Sequence, residues 1–223
     1  MRLLRPVITT LATTLAVAAP IALVGINTSA QAHTTTTVRV KATVDPHWIP
    51  AGESATITGT LLAAGEPLAG QSVTLISRVP AHNGFVVAET ASTGDSGKVS
   101  FTVAPTTRTI YRIKFTGADG LSKSISHRMV VHLKKPTKVD ASAAVSADGI
   151  VILGKAASKA HPLPAKKVVL ETSTEAGWVK LVAEMTNRKG RVAFVVTEGG
   201  DFRLVFPGST RYLPSQSKVL TVG

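Results

Sequence analysis

The sequence predicts an all-β chain of two tandem antiparallel β-sandwich domains behind a signal peptide. Three observations carry this. First, the same text of strands and turns is written twice: GKVSFTV at 97–103 is answered by GRVAFVV at 190–196, and YRIKFTG at 111–117 by FRLVFPG at 202–208. Second, each copy is made of short stretches with period-two alternation between turn residues, and no stretch sustains a helical period. Third, the chain opens on a cationic, then apolar, then small-residue segment.

That opening segment comes first in order. Arg2 and Arg5 precede an uncharged run from Val7 to Ile26, and Ala30-Gln31-Ala32 supplies the small residues of a cleavage site. Residues 1–32 therefore read as a secretory signal rather than a retained anchor. No Cys follows the apolar run, so a lipid anchor is not expected, and no membrane span is expected after cleavage.

The two copies follow. Ile57-Thr58-Gly59 is answered by Ile152-Leu153-Gly154, and Val73-Thr74-Leu75 by Val168-Val169-Leu170. The offset drifts from 95 to 93 to 91, as when two copies of one unit diverge by small loop changes. A unit of about 90 residues is one small domain. The expected domains are 33–135 and 136–223, joined by the polar segment Lys134-Lys135-Pro136-Thr137-Lys138, short enough to permit only limited bending.

Within each copy, Val99, Phe101 and Val103 fall on one face with Lys98, Ser100 and Thr102 on the other, and Val192, Phe194 and Val196 repeat the pattern. Tyr111, Ile113 and Phe115 alternate with Arg112, Lys114 and Thr116. One dry face and one wet face mark antiparallel sheets, and about seven strands per copy make a two-sheet sandwich. Gly94-Asp95-Ser96-Gly97 and Asn187-Arg188-Lys189-Gly190 read as hairpin turns.

Composition narrows the chemistry. With no cysteine, the chain offers no thiol nucleophile, thiolate ligand or disulfide, so each domain stands on its apolar core. Beyond residue 32 the formal charge is +10, split as +5 in 33–135 and +5 in 136–223. A dedicated nucleic-acid protein concentrates its charge in one patch. The even spread implies general attraction to polyanions, and nucleic acid is not the expected partner.

Together these residues resemble a family: Thr56 to Gly59, Pro67 to Gly70, Val73 to Leu75, Gly84-Phe85, Thr93 to Phe101, Tyr111 to Gly117, and Ser124 with Ser126. The second copy matches with Gly154, Pro162-Leu163, Val168 to Leu170, Gly177-Trp178, Thr186 to Phe194, Phe202 to Gly208, and Ser215 with Ser217. The text is similar to the bacterial immunoglobulin-like repeats of secreted and surface proteins, notably of actinobacteria. The resemblance implies the immunoglobulin-like sandwich and envelope or extracellular roles. It also places Tyr111 at the fold's corner position, where a hydroxyl bonds back to the main chain, with Phe202 there in the second copy.

Candidate sites are few, and no catalytic residue or cofactor is expected. His127 and His132, five apart, are expected on opposite faces of one strand. If cleavage follows Ala32, His33 becomes a terminal residue whose amine and imidazole can chelate copper. Glu89 and Glu184 stand at recurring positions by simple offset. On the surface, Arg112 and Arg203 recur on one strand, Arg188, Lys189 and Arg191 surround a turn, and Trp48 sits between Pro46 and Pro50 as a candidate anchor. Trp178, aligned with Phe85, is expected in the core.

The functional expectation is an exported, non-enzymatic binding or structural module, secreted or associated with the cell wall. Its expected partners are anionic wall polymers or another surface protein. The alternatives are a basic protein that binds polyanions such as nucleic acid, and a copper protein using His33.

Overall fold

The computed structural model describes residues 34–147 and 149–223. Residues 1–32, expected from the sequence to be a signal, and His33 lie outside the described residues. No helix among the described residues is long and apolar enough to cross a membrane.

The first sandwich contains β1 (Val38–Asp45), β2 (Trp48–Ile49), β3 (Ala55–Ala63), β4 (Glu66–Pro67), β5 (Ser72–Arg78), β6 (Val86–Ser92), β7 (Lys98–Val103), β8 (Thr109–Phe115), β9 (Ser124–Ile125) and β10 (Met129–Leu133). One sheet holds β1, β3 and β7 with the short β4; the other runs β2-β10-β8-β5-β6, with β9 on β8. The second sandwich contains β11 (Lys138–Ser146), β12 (Gly149–Ser158), β13 (His161–Pro162), β14 (Lys167–Thr174), β15 (Gly177–Met185), β16 (Arg191–Val196), β17 (Gly200–Phe206), β18 (Ser215–Gln216) and β19 (Leu220–Val222). Its sheets repeat the plan, β11-β12-β16 against β15-β14-β17, with β18 and β19 on β17. The pairing is antiparallel except between β2 and β10.

Strand alternation explains both cores. Val38, Val40, Ala42 and Val44 are buried along β1 while the residues between them are exposed. They close on Ile57, Phe101, Leu75, Ile113 and Phe115 from the neighbouring strands. The second core gathers Ile152, Leu170, Phe194, Phe202, Leu204 and Phe206, and the two clusters share no residue. Burial of such side chains stabilises by about 1.5–3 kcal/mol each.

Polar groups inside are repeated as faithfully as apolar ones. The Ser126 hydroxyl accepts a bond from the Ile113 N–H at 2.9 Å and donates to the His127 carbonyl at 2.9 Å. Ser217 does the same between Leu204 and Lys218 at 2.9 and 2.7 Å. Thr93 donates to the Leu68 carbonyl and accepts from the Gln71 N–H; Thr186 donates to Leu163 and accepts from the Lys166 N–H. Each hydroxyl pins a chain segment to the sheet beside it. Ser126→Ala removes both bonds of a side chain 1% exposed, and its sandwich is expected to lose about 2 kcal/mol in urea unfolding. A loss below about 0.5 kcal/mol would show that the bonds add nothing.

Several sequence expectations are corrected. The turns at 94–97 and 187–190 are not hairpins: β6 pairs with β5 but β7 with β3, so the first turn carries the chain between sheets, and the second does likewise. Tyr111 and Phe202 share one register position and are both buried, so the position serves packing. The Tyr111 phenol, pushed above its ordinary pKa by burial, is set beside the Thr109 side chain where a corner tyrosine would bond to the main chain. Glu89 and Glu184 do not correspond. Leu75 pairs with Glu89 while its counterpart Leu170 pairs with Val182, because β6 and β15 are offset by two residues less than β5 and β14.

The connecting segment is bound on both sides. Lys134 donates its N–H to Ile49 of the first sandwich, and Lys135 donates to Arg211 of the second while accepting from Leu213. Thr137 donates to the Leu213 carbonyl at 2.9 Å, and Ser158 donates to the Pro136 carbonyl at 2.7 Å. A segment read as a short bending linker is thus part of a hydrogen-bonded junction.

Candidate functional site

The junction gathers side chains that the sequence holds far apart. β2 lies parallel to β10, which sets Trp48 directly beside His132. Their rings stack at 4.3 Å between centroids with 13° between planes. Ile49 and Val131 point inward and are fully buried, so the alternation turns Trp48 and His132 to the outer face. Thr109 pairs with Val131, which places the preceding residue, Arg108, across from His132. From the second sandwich, the loop after β17 brings the Arg211 guanidinium to 5.6 Å from the Trp48 ring centre.

Electrostatics follow from this convergence. The His132 imidazole is held below its ordinary pKa by burial first, and then by the positive charges of Arg108, His47 and Arg211. Among the described residues the ion pairs are Lys138 with Asp140 and Arg203 with Glu171, so neither Arg108 nor Arg211 has a carboxylate partner. Beside the stack runs a groove of about 440 Å³ lined by Thr43, His47, Trp48, His127, Arg128 and His132. His127 and His132 thus share one groove. Alternation does not separate them, because β10 begins only at Met129 and His127 lies before it.

The other candidate residues are placed elsewhere. Arg112 donates its Nε–H to the Ser126 carbonyl at 2.8 Å, a bond that holds the chain beside β8. Arg203 donates to Glu171 at 2.8 Å and lies 4.3 Å from the Trp178 ring centre. Trp178 is therefore a partner of Arg203 on the outer face of β14, β15 and β17, not a core residue. Its register partner is Ser173, next to the inward-facing Thr172, so alternation turns it outward. Arg188, Lys189 and Arg191 stand exposed around the turn, whose Asn187 side chain accepts the N–H groups of Lys189 and Arg191 at 2.9 and 3.1 Å. The structure does not bring Arg112, Arg203 or this turn into the junction cluster. Of the surface candidates, Trp48 alone lies there. Sequence reading missed Arg108 and Arg211, which carry no shared motif, and weighed His132 only with His127 and not with Trp48. The available signal was Trp48 between two prolines beside an excess of unpaired cations.

No protein-family model matches the chain, and no curated protein does. Solved structures do match. The D0-D1 domain of intimin is 17% identical, with 82% of this chain and 96% of that one covered and a TM-score of 0.32. A Yersinia pseudotuberculosis adhesin, InvE, is 17% identical over 83% of this chain and 58% of its own, with a TM-score of 0.32. A C-terminal 282-residue intimin fragment, solved with the intimin-binding domain of the translocated intimin receptor, is 14% identical over 81% and 62%, with a TM-score of 0.48. The chain thus spans less than two thirds of the latter two proteins. The fold itself stands on the strand registers given above.

Proposed function

We propose that the chain is an exported, non-enzymatic binding or structural module held at the bacterial cell envelope. The observation that carries this reading is the junction. A segment hydrogen-bonded to both sandwiches fixes their facing ends, and side chains from both converge there on one exposed cationic and aromatic cluster. Such a surface suits contact with a partner more than chemistry on a small molecule, because its groups come from two strands and two loops beside an open groove.

Export rests on the composition of residues 1–32, and the partner class on charge. A net charge of +10 beyond that segment favours anionic wall polymers. Another surface protein is the second partner class, and the unpaired edges of β6 and β15 are where it would add. The test is retention of the purified chain on washed envelopes of the producing cell across a salt series, with the mature N-terminus checked by mass. We expect retention that weakens with salt, and absence of retention at low salt would end this reading.

A further inference from the structure

We propose that Arg108, His132 and Arg211, gathered around Trp48, form an oxyanion site that takes a phosphodiester group of an anionic wall polymer. The site deepens the envelope reading, and rests on it for the identity of the polymer.

Geometry comes first. Arg108, just before β8, stands across from His132 of β10, and Arg211 reaches the same stack from the second sandwich. Guanidinium groups present planar forks that match phosphate oxygens in pairs, and two of them on different elements can grip one tetrahedral group from separate sides. Both arginines are exposed and without an ion pair among the described residues, so their donors are free for a ligand.

Energetics point the same way. Bringing Arg108 and Arg211 beside His132 costs repulsion, which adds to burial in depressing the imidazole, and no carboxylate is among the charges acting on it. A bound anion relieves that cost and favours protonation of His132. The titration belongs to the whole set of groups facing it: Arg108 from just before β8, His47 from just before β2, Trp48 from β2 and Arg211 from the second sandwich, with His127 and Arg128 lining the same groove.

The shape of the surface favours a phosphodiester polymer without bases over nucleic acid. The Trp48 ring is stacked on His132 at 4.3 Å and has Arg211 at 5.6 Å from its centre, contacts with which a stacking base would have to compete. The adjoining groove of about 440 Å³, with His47, His127 and Arg128 along it, gives room and charge for the next unit of a chain.

The experiment uses the exported chain with inorganic phosphate and poly(glycerol phosphate) as probes, and single-stranded DNA of equal charge as the competitor class. Phosphate is expected to move the His132 imidazole resonance in NMR and raise its titration midpoint. The double variant R108Q/R211Q is expected to weaken poly(glycerol phosphate) binding about tenfold or more, as charge-assisted bonds are lost. The triple variant R188Q/K189Q/R191Q, at the distant turn, should weaken it less than about threefold. Undiminished binding by R108Q/R211Q, a His132 resonance unmoved by phosphate, or tighter binding of DNA than of poly(glycerol phosphate) would each overturn the proposal. Phosphate binding without envelope retention would leave the site standing and remove the envelope reading. Retention unchanged in R108Q/R211Q would do the reverse.

Discussion

Gly190→Ala is expected to unfold the second sandwich at markedly lower denaturant, with a loss of about 3 kcal/mol. Two costs add. Gly190 has φ of +70°, where an L side chain is strained by about 1–2 kcal/mol. A Cβ there would also stand 2.5 Å from the Ala156 carbonyl oxygen and 3.0 Å from the Leu163 nitrogen, both main-chain atoms that cannot swing aside. Gly97→Ala should do the same to the first sandwich, since φ is +67° and the Leu61 oxygen lies at 2.6 Å. Gly52→Ala provides the control: φ is +88° but nothing lies within 4 Å, so only about 1–2 kcal/mol of backbone strain remains. Equal effects at Gly52 and Gly190 would show that the close approach to β12 is unimportant.

Phe101→Ala is expected to cost the first sandwich about 3–5 kcal/mol, because the ring is 1% exposed at the centre of its core. Phe206→Ala, also 1% exposed, should cost the second sandwich as much. The cores share no residue, so each variant should split thermal unfolding into two steps. The transition of the untouched sandwich should shift by less than about 0.5 kcal/mol. A single transition that moves as one in both variants would mean that the hydrogen-bonded junction fuses the sandwiches into one cooperative unit.

Most strands were legible because alternation and turn chemistry act locally. Val99, Phe101 and Val103 are buried as their period demands, and Met129–Leu133 closes the first sandwich where the pattern ends. What local reading misplaced depends on partners. Turn residues at 94–97 and 187–190 look like hairpin tips, yet a turn between sheets needs the same left-handed glycine, here for close packing against the neighbouring strand. Trp178 aligned with Phe85, and both lie outside the two core clusters, each near an arginine: Arg203 at 4.3 Å and Arg78 at 5.3 Å. Both β6 and β15 carry a register shift against their partners, which simple counting from neighbouring strands cannot follow. The junction cluster was least legible of all. Trp48 meets Arg211 across 163 residues of chain, and neither residue has a counterpart in the other copy that periodicity could reveal.

The most direct test of the central claim, that the junction presents the contact surface, is envelope retention of the wild-type chain beside R108Q/R211Q at matched salt. The account predicts that wild type is retained and that the variant, with the same fold by circular dichroism, is released at distinctly lower salt. Retention of both to the same salt concentration would contradict it and move the contact surface away from the junction.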